Sequence, residues 1–166
     1  MKELLDKISS YNIFNYLLPG ILYAVLLSEF SEANIIQEEI IVGAFLYYFI
    51  GLVISRIGSL IVEPIFKKLK FLKFAEYSEF ITACEKDSKI DTLSESNNMY
   101  RTIVALFLSL LFSKLYVFLA TKYEWSVNTS FYILSVLLLT MFIFAYRKQT
   151  NYITKRIKHH TKKIDK

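Results

Sequence analysis

GLVISRIGSLIVEP, residues 51–64, is the stretch on which the fold turns. It closes an apolar run that opens at Ile40, and it carries Arg56 and Glu63 seven positions apart. Seven residues are two helical turns, so both charges fall on one face of a helix. They either line a functional pathway or mark where a bilayer ends. Counting inward from Ile40 at about 1.5 Å per residue puts Arg56 about 25 Å deep, where its stem can snorkel to the surface. Glu63, Pro64 and the lysines that follow then lie past the hydrocarbon edge. The exit reading is the stronger. The alternative is a ring of Arg56–Glu63 pairs between copies, closing a gate or fixing oligomer register.

The remaining sequence repeats the pattern. Of 166 residues, 54% are hydrophobic, and 14 Phe and 12 Tyr stand against four Gly and two Pro. The mean hydropathy is +0.38. The apolar residues come in blocks rather than alternating with polar ones, which is a membrane composition and limits any soluble domain. Four blocks approach the roughly 20 residues that cross a bilayer core: Ile13–Phe30, Ile40–Leu60, Thr102–Thr121 and Ser130–Tyr146. The expected fold is all-α, because a helix satisfies its own backbone polar groups in lipid. Pro19-Gly20 should kink the first span or end its first turns.

Basic residues set the expected direction. The stretch SEFSEANIIQEE, residues 28–39 at the outer end of span one and beyond it, has no Lys or Arg and four Glu, and the connection after span three has Lys122 alone. The connection between spans two and three holds Lys67, Lys68, Lys70, Lys73, Lys86 and Lys89, with Arg101 at its end, and eight basic residues follow Tyr146. Basic flanks stay cytoplasmic, so both termini and the middle connection are expected on the cytoplasmic side, and the lysine-rich, compact chain suggests a bacterial inner membrane. The chain divides accordingly. Residues 1–12 form an interfacial helix with Leu4, Leu5, Ile8 and Tyr11 on one side, and 13–66 form spans one and two. An amphipathic helical hairpin follows at 67–100, spans three and four at 101–146, and a basic tail at 147–166. In the hairpin, Leu69, Leu72, Phe74, Phe80, Ile81 and Cys84 recur at loose helical spacing. Thr92-Leu93-Ser94-Glu95 reads as a capping box that opens a helix running into span three.

Several residues are candidates for function. Gly51, Ser55, Gly58 and Ser59, with Ala44 near the same face, would let helix backbones approach closely, within the subunit or between subunits. Lys114 lies inside span three beside Ser109, Ser113 and Tyr116, at a cost of roughly 2.5–3.5 kcal/mol for a central lysine. Glu29, Glu38 and Glu39 are its candidate counter-charges, its stem reaches partly towards the outer interface, and a pore, cavity or sensing role is the alternative to structural pairing or snorkelling. Lys67, Lys68, Lys70 and Lys73, with Lys155, Arg156 and Lys158 in the tail, suit partner docking or contact with anionic lipid. Proximity to a membrane explains these cations without direct nucleic-acid binding. Cys84, the single cysteine, reads as an ordinary thiol. His159 and His160 point about 100° apart on a helix, cannot chelate one metal together, and read as solvated. No metal spacing, phosphate loop or nucleophile–base pair is present in the sequence, so no enzyme activity, metal or cofactor is expected.

NIFNYLLPGILY (12–23), SRIGSLIVEPIFKK (55–68), a charged hairpin and LSESNNMYR (93–101) follow one another in a recognisable layout. The chain resembles the small four-helix membrane proteins of bacterial anti-phage defence loci, most of all the membrane subunit of the Kiwa system. The resemblance covers the whole chain in layout and carries no residue roles. It implies an inner-membrane homo-oligomer, a tetramer, that senses envelope disturbance and docks a cytosolic DNA-binding partner. Two other functions fit the sequence: a signal-gated pore that depolarises the membrane, and a plain anchor or assembly protein.

Overall fold

The computed structural model describes residues 12–31 and 35–164, with side chains described up to residue 161. The expected interfacial helix falls almost wholly outside the described residues. A π-helical segment, Ile13–Leu17, leads into α1, Leu18–Phe30. Then α2, Ile40–Ile57, passes through a second π segment, Gly58–Val62, into α3, Glu63–Lys68. The remaining helices are α4, Tyr77–Lys86, α5, Lys89–Lys122, and α6, Val127–Ile164. Among the described residues there is no strand, and four helical stretches are long and apolar enough to cross a membrane.

Both π segments stand directly before the chain's two prolines. Proline has no N–H and crowds the turn behind it, so the backbone widens there. At Pro19 the Leu18 N–H reaches back to the Ile13 carbonyl, and at Pro64 the Glu63 N–H reaches back to that of Gly58. The expected break at Pro19-Gly20 is therefore a wide turn inside a continuous helix.

Two tight stops shape the connections. At the end of α3 the Lys70 N–H bonds the Lys67 carbonyl and the Phe71 N–H that of Phe66, with Lys70 in the left-handed region at φ 57°. The same pattern ends α5, with Glu124 at φ 50° and the Trp125 N–H on the Ala120 carbonyl. These are Schellman caps, and each has its apolar clasp. Phe66 meets Phe71 edge-on at 5.3 Å, and Tyr116 meets Trp125 at 5.8 Å.

The hairpin departs from its expected form. Of the amphipathic helix expected from Leu69 to Cys84, Leu69, Leu72 and Phe74 lie in a loop and only the part within Tyr77–Lys86 is helical, with Ile81 buried. Helix α5 begins at Lys89, three residues before the expected cap at Thr92, because the Asp87 carboxylate accepts the Lys89 N–H at 2.9 Å. It then runs unbroken into span three, so the boundary drawn at residue 100 falls within a helix. Helix α4 packs against both α5 and α6. At 1.5 Å per residue, α5 and α6 are about 51 and 57 Å long, well beyond the roughly 30 Å of a bilayer core. The excess of both lies at one end, which carries most of the basic residues and is called the basic end below.

Where α2 crosses α1, the backbones touch. A Cβ placed on Gly51 would overlap the Tyr16 carbonyl, and one on Gly20 would overlap that of Tyr47. Leu106, Ala105, Ile54 and Val62 form the apolar core beside this crossing, between α2 and α5.

Candidate functional site

The polar interior has two layers. In the deeper one, Asn15, Ser55 and Thr102 are each at most 1% exposed. The Asn15 Nδ2 donates to Ser55 Oγ at 3.3 Å, and the Thr102 hydroxyl lies 2.9 Å from both Asn15 Oδ1 and the Asn98 carbonyl. These bonds tie three spans together where no water can replace them, a setting in which interhelical polar contacts are worth about 0.6–2 kcal/mol each.

The second layer is at the basic end and centres on Glu63, 6% exposed. Its carboxylate takes Arg101 Nη1 at 2.6 Å, Lys67 Nζ at 3.0 Å and Lys148 Nζ at 3.5 Å. Lys148 also donates to the Ser59 carbonyl and hydroxyl, each at 2.7 Å. The proline explains why that carbonyl is available. In the widened turn the Glu63 N–H goes to Gly58, and Pro64 has no N–H to offer, so Ser59 lacks its usual backbone donor. A lysine from the far end of the chain supplies one.

The rotation introduced by the π segment separates the two charges of the opening stretch. Glu63 faces α5 and α6, whereas Arg56 faces the first span, where its Nη2 donates to Tyr16 Oη at 3.2 Å. The four small residues likewise find neighbours inside the chain. Gly51 meets Tyr16, Ser55 joins the buried triad, Gly58 faces Arg101 and Ala105, and Ser59 receives Lys148.

Lys114 donates to the carbonyl of Phe30, the last residue of α1. Glu29, Glu38 and Glu39 make no ion pair with it among the described residues. A cation at a helix C-terminus is favoured by the unpaired carbonyls there. Lys114→Leu removes that bond and also removes a charge from an apolar span, so the two effects oppose each other. Its stability in detergent should stay within about 1 kcal/mol of the parent, as read by thermal unfolding.

Beyond the spans, α4 is clasped by α6. Tyr77 and Tyr152 meet at 5.8 Å, Thr82 lies 3.5 Å from His159 Nε2, and His160 Nδ1 lies 3.9 Å from Glu85. The histidines expected to be solvated thus both border α4. Cys84 on the same helix is half-buried, and its thiol is pushed above the ordinary value by burial and by the Asp91 carboxylate. That keeps the unreactive protonated form at neutral pH. Among the described residues no group of His, Cys, Asp and Glu could hold a metal ion.

Of the expected docking cations, Lys67 is engaged with Glu63 and lies 4.1 Å over the Phe74 ring. Lys68, Lys70 and Lys73 are exposed around the loop, and Lys155, Arg156 and Lys158 along α6. The sequence reading missed the convergence of Arg101 and Lys148 on Glu63 and the Asn15–Thr102 bond. Asparagine within an apolar span, and a lysine immediately after one, were the available signals. The chain matches no family model, no curated protein and no solved structure.

Proposed function

We propose that this chain is a non-enzymatic subunit of a bacterial inner-membrane complex of the anti-phage defence kind. In this reading both termini are cytoplasmic, the protein is a homo-oligomer, a tetramer, and it relays envelope disturbance to a docked cytosolic DNA-binding effector. The observation that carries most weight is the helical extension at the basic end. There α5 and α6 run on past their apolar spans and α4 braces them. On α6, Ile153 and Ile157 are more than half exposed and share a face with Arg156 and His160. A basic, apolar-striped helix held upright beyond the bilayer suits a protein partner better than the lipid surface. Self-association is supported by the apolar window of α6, which contributes no buried residue within one chain.

The test is co-purification of the tagged chain with the soluble protein encoded beside it, together with reporter fusions at each end. Recovery of the partner should fall at least about tenfold in an Ile153→Glu, Ile157→Glu variant, the effect of losing a central apolar anchor. Proteoliposomes of the chain alone should hold an ion gradient. Partner recovery unchanged by the variant, or a gradient that collapses, would overturn the docking reading, and the second outcome would favour the pore.

A further inference from the structure

The Glu63 layer is not neutral. One carboxylate faces three cations, Lys67, Arg101 and Lys148, and no second carboxylate lies within ion-pair distance of any of them among the described residues. The surplus is two positive charges; Arg101 and Lys148 are enclosed, at 19% and 25% exposure, whereas Lys67, at 44%, opens to solvent. Arg101 engages Glu63 through Nη1 alone, and its Nε is enclosed without a hydrogen-bond partner. Aromatic faces give partial cover, Phe74 to Lys67 and Tyr152 to Lys148, but they bring no negative charge. Excess buried charge of one sign is costly unless something neutralises it.

Position narrows what that is. The cluster lies where the helices run on past their apolar stretches, which corresponds to headgroup depth for helices that span a bilayer core of about 30 Å. A phosphate ester matches a guanidinium flanked by two ammonium groups, since arginine offers paired N–H donors and lysine a point charge. Basic recesses between spans at this depth hold acidic lipid heads. We propose that Lys67, Arg101 and Lys148 form a defined site for a phosphate ester of net negative charge, distinct from the diffuse attraction of the basic tail. Glu63 organises the three cations and limits their surplus to two. The site is independent of whether the chain docks a partner or serves in defence.

Native mass spectrometry of the full chain in neutral detergent, with phosphatidylglycerol, phosphatidylcholine or inorganic phosphate added, reads this directly. The expected result is one retained phosphatidylglycerol per chain and no retained phosphatidylcholine, with retention about tenfold weaker in Arg101→Gln, the loss of one charge-assisted contact. Lys67→Gln, the most exposed of the three, should weaken it several-fold with the fold intact. Protection from thermal unfolding by phosphatidylglycerol but not by phosphate assigns the site to a lipid head. Equal protection by phosphate alone assigns it to a soluble phosphate. Equal retention of both lipids, or retention of phosphatidylglycerol unchanged in both Arg101→Gln and Lys67→Gln, would overturn the proposal.

Discussion

Gly51→Ala is expected to destabilise the folded chain by about 3 kcal/mol or more, the upper range for forcing atoms into filled space. The added methyl would meet the backbone carbonyl of Tyr16, not the movable tip of a side chain. The first two spans would have to separate, and with them the bonds that Asn15 makes to Ser55 and Thr102. Gly20→Ala should cost a similar amount, because its methyl would strike the Tyr47 carbonyl at the same crossing. The double variant should cost less than the sum, since either change alone opens the same contact. Gly43→Ala is the control. There a methyl would lie 3.2 Å from the edge of the Tyr47 ring, which can swing away, and the change should stay within about 1 kcal/mol. Thermal unfolding in detergent, followed by circular dichroism, measures all four variants. Wild-type stability of Gly51→Ala would show that the two backbones do not meet.

The second large effect is expected at Glu63. Glu63→Ala leaves Arg101, Lys148 and Lys67 facing one another with no counter-charge, and removing one partner of a buried pair costs about 3–5 kcal/mol. The three cations should not matter equally. Lys67 is 44% exposed and one turn from Glu63 on the same helix, so water can replace most of its interaction, and Lys67→Ala should cost less than about 1 kcal/mol. Arg101 is 19% exposed and binds at 2.6 Å from another span, so Arg101→Ala should lose considerably more. Lys148→Ala adds a separate loss, because the carbonyl of buried Ser59 is left without its donor. A ranking of Glu63 above Arg101 and Lys148, with Lys67 last, is the outcome to check by unfolding in a denaturing detergent. Lys67→Ala proving the most damaging would contradict this geometry.

The four spans were legible because hydropathy is a sum over about 20 residues, and a sum tolerates errors at its ends. The candidate sites were legible only as residue types. Asn15, Ser55 and Thr102 lie 40 and 87 positions apart. Whether they meet depends on the rotation of three helices, which no local pattern records. Arg56 and Glu63 illustrate the difficulty most directly. Their spacing of seven puts them on one face only if every turn between them has 3.6 residues, and the segment Gly58–Val62 does not. Glu29, Glu38 and Glu39 were the candidate counter-charges for Lys114, whereas the last carbonyl of α1 is the group it meets, at no cost in charge. The loop at 69–76 misled for another reason. Its apolar residues have helical spacing, but Lys70 in the left-handed region has already turned the chain away from the helix axis.

The wide turn before Pro64 has a consequence for how the molecule tolerates change. A π segment is an ordinary helix with one residue too many, so it stores a phase offset of about 100° that everything downstream inherits. Shortening Gly58–Val62 by a single residue would restore a regular spiral, yet it would swing the Glu63 carboxylate out of reach of both its distant partners. In this chain the irregular helix is the working one, and regularising it would be the damaging edit.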